Sequence, residues 1–216
     1  MFVDHLFSEN PDDVVFYVEV VAVSFVSIVL HELGHALAAT WEGDPTPKIR
    51  GHLTWDPRVH MGWISIVLLL VAGLGFGSTP VTRSMFRHRR WGEALVSFAG
   101  PAVNLMLAVV GSFALAVCVR AQAPHFALSF WWVMTYWNIV LFVFNLLPIP
   151  PFDGFGVLDG VVDLGDFGRQ IRGASVMVGW IVASVLVNLR VIPIFDWSES
   201  IAKGLVRIAS SAVWIA

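Results

Sequence analysis

Charge is what this chain has least of: Lys, Arg, Asp and Glu make up 13% of its 216 residues, about half the share of a soluble domain. Together with 57% apolar residues and a mean hydropathy of +0.75, that shortage excludes an ordinary soluble enzyme and points to lipid as the solvent. Basic tracts are missing too. The net charge is −3 and no run of Lys and Arg exceeds three residues, so nucleic acid is not an expected partner. Cysteine occurs once, as Cys118 in an apolar run, which rules out a disulfide framework and a cysteine zinc site. Residues 1–13 carry Asp4, Glu9, Asp12 and Asp13 but no Lys or Arg, the reverse of a secretory signal, so the first apolar segment is expected to be retained. There is no internal repeat and no low-complexity linker, and the polar connections are too short for a second folded unit. Residues 1–216 therefore read as one membrane domain.

Spanning a bilayer takes about 20 mostly apolar residues. Four stretches qualify: Val14–Trp41, Ala94–Val119, Ala127–Ile149 and Ala174–Ile194. A fifth, Gly62–Pro80, is short and broken by Gly73, Gly75, Gly77 and Pro80. Between Pro45, Pro47 and Pro57, the residues Ile49, Leu53 and Trp55 alternate with Arg50, His52 and Thr54. This alternation reads as a short strand or hairpin over Lys48–Trp55, with an irregular loop as the alternative. Such a strand at the membrane edge is expected to receive an unwound substrate as an added strand. Beyond Ile194, the spacing of Ile201, Leu205, Ile208 and Ala212 opposite Glu199, Lys203, Arg207 and Ser211 suggests an interfacial amphipathic helix over 195–216, or else a tail. The expected fold is an all-α polytopic membrane protein with about four full spans, a re-entrant or interfacial segment, and a small β-hairpin near the active site.

The first span contains His31-Glu32-Leu33-Gly34-His35, with two histidines four apart on one helical face. Such a pair can bind zinc, and the glutamate between them can take a proton from the water that zinc activates. Polar residues inside an apolar run are costly in hydrocarbon and usually mark function; otherwise they are hydrogen-bonded links between helices. A catalytic zinc usually takes a third protein ligand. His52, His60, His88 and His125 lie in polar connections and read as solvated. Asp153 is the better candidate. It follows Asn145 through Phe152, where Pro148, Pro150 and Pro151 must end the third full span. Broken backbone at membrane depth is tolerated where it is buried in protein or lines a watery cavity. Asp153 is thus either a ligand or an ordinary turn residue.

At this point the chain closely resembles the site-2 protease family of intramembrane zinc metalloproteases. Three motifs stand in order: HELGH at 31–35, Phe98-Ala99-Gly100-Pro101-Ala102-Val103-Asn104 for F-A-G-P-x-x-N, and Asn145 to Gly154 for N-x-x-P-x(4)-D-G. The resemblance covers about 20–165 and is strongest to the compact prokaryotic branch without PDZ or CBS domains. That branch also shares Gly43-Asp44-Pro45-Thr46 and Gly51-His52-Leu53-Thr54. In two places the chain departs from it: Thr79 replaces a lysine before Pro-Val, and Met61-Gly62 replaces Ile-Asp. The resemblance implies one zinc per chain on His31, His35 and Asp153, with Glu32 as general base and then proton donor. Asn104 and Asn145 would be polar groups near the substrate carbonyl or the activated water, or helix-bridging amides. Gly100 and Pro101 would shape a close helix crossing. The implied activity is an endopeptidase acting within transmembrane segments of substrate proteins. The alternatives are a silent relative that binds such segments and a divalent-metal transporter.

Parity sets the topology. For one zinc to reach both the end of the first span and Asp153, the first and third full spans must be parallel and the intervening one antiparallel. Gly62–Pro80 then cannot cross once. The connection 42–93 holds Lys48, Arg50, Arg58, Arg83, Arg87, Arg89 and Arg90, seven of the thirteen basic residues. By the positive-inside rule the zinc end is expected to face the cytoplasm and the N-terminus the outside, and the resemblance implies a prokaryotic cell membrane.

Overall fold

The computed structural model describes residues 2–89, 91–173 and 192–215. A short 3₁₀ helix, Phe2–Phe7, precedes α1 (Pro11–Trp41), α2 (Thr46–Ile49), α3 (Pro57–Ala72), α4 (Trp91–Arg120), α5 (His125–Asn145), α6 (Asp153–Val162), α7 (Gly165–Gly173) and α8 (Ile194–Ile215). Among the described residues, α1, α4 and α5 are long and apolar enough to cross a membrane. The fourth expected span, Ala174–Ile194, lies almost wholly outside the described residues. The architecture is that of an all-α polytopic membrane protein.

Local chemistry sets the helix ends. α1 starts at Asn10, whose side chain accepts from Asp12 N at 3.1 Å, with Pro11 in the first turn and Asp12 and Asp13 beside the positive pole. α5 stops at Asn145, earlier than the expected Ile149, because the residue before Pro148 is pushed out of the helical region.

α4 runs antiparallel to both of its long neighbours. It meets α1 where Ala39 packs against Val96, and meets α5 where Ala108 packs against Ile139. α1 and α5 are parallel, joined by Val20, Val23, Val133 and Met134. At the α1–α4 crossing, a Cβ on Gly34 would stand 2.9 Å from Val103 Cγ2 and 3.0 Å from the Ala99 carbonyl oxygen. Small residues let helix backbones approach this closely in a membrane. The expected amphipathic segment is helical as α8. It buries Ser198, Ala202 and Ala209; Ala202 and Leu205 pack with Leu105 and Ala108 of α4 and with Ile139 of α5. Ile194 packs with Leu147 and Phe152, and the Arg120 guanidinium donates to the Val213 carbonyl. α8 therefore runs alongside α4 in the same direction.

The hairpin expected over Lys48–Trp55 is corrected: among the described residues there is no strand, and Thr46–Ile49 is one helical turn. The fully buried Asp44 carboxylate accepts from Thr46 N at 2.9 Å, Thr46 Oγ1 at 2.5 Å and Thr82 N at 2.6 Å. These bonds wind the chain into a turn, and Gly51 at φ +75° reverses it. Ile49, Leu53 and Trp55 are all exposed, so their alternation marks an outward apolar surface instead of a pleat. The substrate-receiving strand expected there falls with the hairpin.

The extended backbone lies elsewhere. α3, interrupted at Gly62 (φ 67°, ψ 166°), ends on the left-handed Gly73, and the chain then folds back along it. Buried Ser65 Oγ donates to Phe76 O at 2.5 Å and accepts from Phe76 N at 2.8 Å, and Ser78 N donates to His60 O at 3.0 Å. Residue 78 thus returns to the level of residue 60, and Gly62–Pro80 leaves at the end where it entered. Single cysteines at Arg58 and Arg87 in a Cys118→Ser background should both react with an impermeant thiol reagent supplied on one and the same membrane face. Labelling of the two from opposite faces would contradict this fold-back.

Candidate active site

His31 and His35 project from one face of α1 towards α4, one turn apart. Their Nε2 atoms are 3.0 Å apart, and Asp153 Oδ2, from the first turn of α6, lies 3.1 Å from His31 Nε2 and 3.3 Å from His35 Nε2. Both histidines are buried, while Asp153 is half-buried. Space for the two imidazoles depends on Gly100: a Cβ there would collide with both Nε2 atoms.

The outer ring nitrogens settle the tautomers. His35 Nδ1 lies 2.6 Å from the Val96 carbonyl oxygen, and His31 Nδ1 lies 2.6 Å from Asn104 Oδ1. A carbonyl can only accept, so each Nδ1 carries a proton, and in the neutral rings each Nε2 presents a lone pair. Asp153 Oδ2 is itself buried with no hydrogen-bond donor. Three lone-pair atoms so close repel one another unless a cation lies among them. Two ligands on a tetrahedral zinc at about 2.0–2.1 Å stand about 3.3 Å apart, which the observed separations approach. The donor set and its spacing fit zinc.

Asp153 is delivered by the broken end of α5. Pro148, Pro150 and Pro151 prevent the helix from continuing, while Phe152 inserts beside Leu147 and Ile194 and meets Phe144 edge-on at 4.6 Å. A Cβ on Gly154 would collide with the Leu146 carbonyl, so glycine after Asp153 permits α6 to fold tightly back.

Glu32 is buried between the two histidines in sequence, and the returning segment covers it. Thr79 Oγ1 donates to Glu32 Oε2 at 2.8 Å and contacts Glu32 O at 3.0 Å; a Cβ on Gly77 would collide with the carboxylate. Thr79, seen in the sequence only as a departure from a lysine, thus holds the carboxylate rotamer.

Asn104 is fully buried, its Oδ1 on His31 and its Nδ2 donating to Asn138 Oδ1 at 3.0 Å. Asn145 Nδ2 donates to the Leu141 carbonyl at 3.0 Å; an amide nitrogen has two N–H groups, and this bond uses one. Asn138 escaped sequence reasoning because a lone asparagine within an apolar span has no motif of its own; its polar side chain at membrane depth was the available signal. Of the histidines read as solvated, His88 and His125 are exposed. His60 is buried and donates from Nε2 to Thr54 O at 2.8 Å, with His52 packed edge-on at 5.5 Å.

The chain is similar to known proteins over most of its length. Peptidase family M50 matches residues 19–123 and 116–187. "Putative zinc metalloprotease YwhC" of Bacillus subtilis is 39% identical over 171 residues, covering 74% of this chain and 76% of that protein. "Putative zinc metalloprotease Rip2" of Mycobacterium tuberculosis is 37% identical over 153 residues, covering 66% of this chain and 57% of its own length. No solved structure matches. The chain belongs to peptidase family M50, the site-2 protease family of zinc metalloproteases.

Proposed function

We propose that this protein is a zinc endopeptidase that cleaves peptide bonds within transmembrane segments of other proteins. The observation that carries this reading is the convergence of His31, His35 and Asp153 beside Glu32, within an apolar bundle. Depth supports it. Trp41, Trp55, Trp63 and Trp91 are exposed around the zinc end, as in the aromatic belt of a membrane interface. His35 and His31 precede Trp41 by six and ten residues, which places them about 9 and 15 Å further in along the helix. The seven basic residues of 42–93 put that end towards the cytoplasm.

In this reading His31, His35 and Asp153 hold one zinc ion. When bound, zinc supplies a Lewis acid for the scissile carbonyl and the attacking water. Glu32 accepts the proton from that water at its carboxylate and returns it to the leaving amine. Thr79 holds the Glu32 carboxylate in one rotamer. Asn104 acts through His31. The second N–H of Asn145 is the amide donor available for the developing oxyanion.

Glu32→Gln preserves shape and removes the basic oxygen. It should retain the wild-type zinc content and lower cleavage of a model transmembrane substrate by about 100- to 10,000-fold; near-normal cleavage would remove Glu32 from the mechanism. Replacing His31, His35 or Asp153 should instead lower zinc per chain, as measured by elemental analysis. If zinc flux into vesicles is found in place of proteolysis, the protein is a transporter.

Gly100→Ala adds one methyl group where the two imidazoles stand and suits a helix backbone better than glycine does. It should leave helicity unchanged by circular dichroism while weakening zinc binding at least about tenfold, on the scale seen when groups around a metal site are disturbed. Unchanged zinc affinity would show that the histidine pair does not need that space.

A further inference from the structure

A line of buried amides runs across the bundle from the zinc site into α5. His31 Nδ1 meets Asn104 Oδ1 at 2.6 Å, Asn104 Nδ2 meets Asn138 Oδ1 at 3.0 Å, and Asn138 Nδ2 meets the Met134 carbonyl at 2.9 Å. Both asparagines are fully buried. The last member fixes the direction of all the others. A backbone carbonyl only accepts, so Asn138 must turn its nitrogen to Met134 and its oxygen to Asn104. Asn104 must then give its nitrogen to Asn138 and its oxygen to His31. His31 must carry a proton on Nδ1, and in the neutral imidazole that leaves Nε2 unprotonated towards His35 and Asp153.

We propose that Asn138 is a positioning residue for the metal site: through Asn104 it holds His31 in the Nδ1–H tautomer that can ligate zinc. This rests on the reading of His31, His35 and Asp153 as zinc ligands. It goes beyond that reading by assigning a role to a residue in a third helix that touches neither metal nor substrate. The physical cause is the cost of the alternative. Without an oxygen at position 138, Asn104 Nδ2 is a buried donor with no acceptor. A flipped Asn104 amide would present N–H to His31 Nδ1 and favour the tautomer whose proton occupies the metal position. His35, whose Nδ1 meets the Val96 carbonyl directly, needs no such relay, because a helix carbonyl cannot flip.

The test uses the full-length protein in detergent and reads zinc affinity by chelator competition, independently of any protease assay. Asn138→Leu should weaken zinc binding about 10- to 100-fold, the range for groups behind a metal ligand. Asn138→Asp, buried in apolar surroundings as the neutral acid, can donate its O–H to the Met134 carbonyl and keep an oxygen facing Asn104, and should stay within about threefold of wild type; a merely space-filling role would not distinguish the two in this order. If Asn138→Leu fails to fold, the tautomer is read directly by ¹⁵N NMR of histidine-labelled, zinc-free wild type at a pH where the His31 ring is neutral, with assignment by His31→Gln; the expected proton is on His31 Nδ1. Equal zinc affinity in wild type and a folded Asn138→Leu, or an Nε2–H tautomer for His31, overturns this proposal alone. A wild-type chain that holds no zinc overturns both this proposal and the proposed function.

Discussion

Two imidazoles and two carboxylates brought together inside an apolar bundle impose the condition on which the rest of this structure depends. No water is available in hydrocarbon to satisfy a stray polar atom, and each one left unpaired costs about 2–7 kcal/mol. The bundle therefore supplies acceptors for the two outer imidazole nitrogens, Val96 O and Asn104 Oδ1, and a hydroxyl for Glu32. It leaves His31 Nε2, His35 Nε2 and Asp153 Oδ2 facing one another.

That arrangement needs close helix packing. Gly34 lets α1 meet α4 at the Ala99 carbonyl, and Gly100 gives the histidines their space. The two glycines thus act on opposite sides of one crossing. The same requirement explains the end of α5. A straight helix cannot carry a carboxylate sideways to α1, whereas a proline-broken end followed by Asp153-Gly154 can, because Gly154 allows α6 to fold back against Leu146. The third contribution comes from outside the long helices. The segment after α3 returns along it, held by Ser65 and by the bond from Ser78 to His60, and so brings Thr79 onto Glu32.

Periodicity and residue chemistry were enough to single out two of the converging residues, since histidines at helical spacing share a face wherever the helix lies; the prolines before Asp153 end a span regardless of its neighbours, but they left that carboxylate open between a ligand and a turn residue until the motif it shares with the site-2 protease family was considered. Parity likewise required Gly62–Pro80 to return to its own side, because one ion cannot be reached from opposite ends of parallel helices. The reading failed where alternation was taken for a strand. Ile49, Leu53 and Trp55 alternate because they face outward, while Asp44, whose partners Thr46 and Thr82 are 2 and 38 residues away, winds the backbone into a turn.

The sequence by itself determined the solvent, the spans α1, α4 and α5, the histidine pair on one helical face and the break in the chain before Asp153, since these follow from composition and local spacing. Only the tertiary structure decided that these three side chains meet and which polar groups stand behind them. Asn104 lies 73 residues from His31 and 34 from Asn138, and Thr79 lies 47 from Glu32. Hydrogen bonds over such separations leave no periodic trace in the chain, because their partners become neighbours only after the helices have packed.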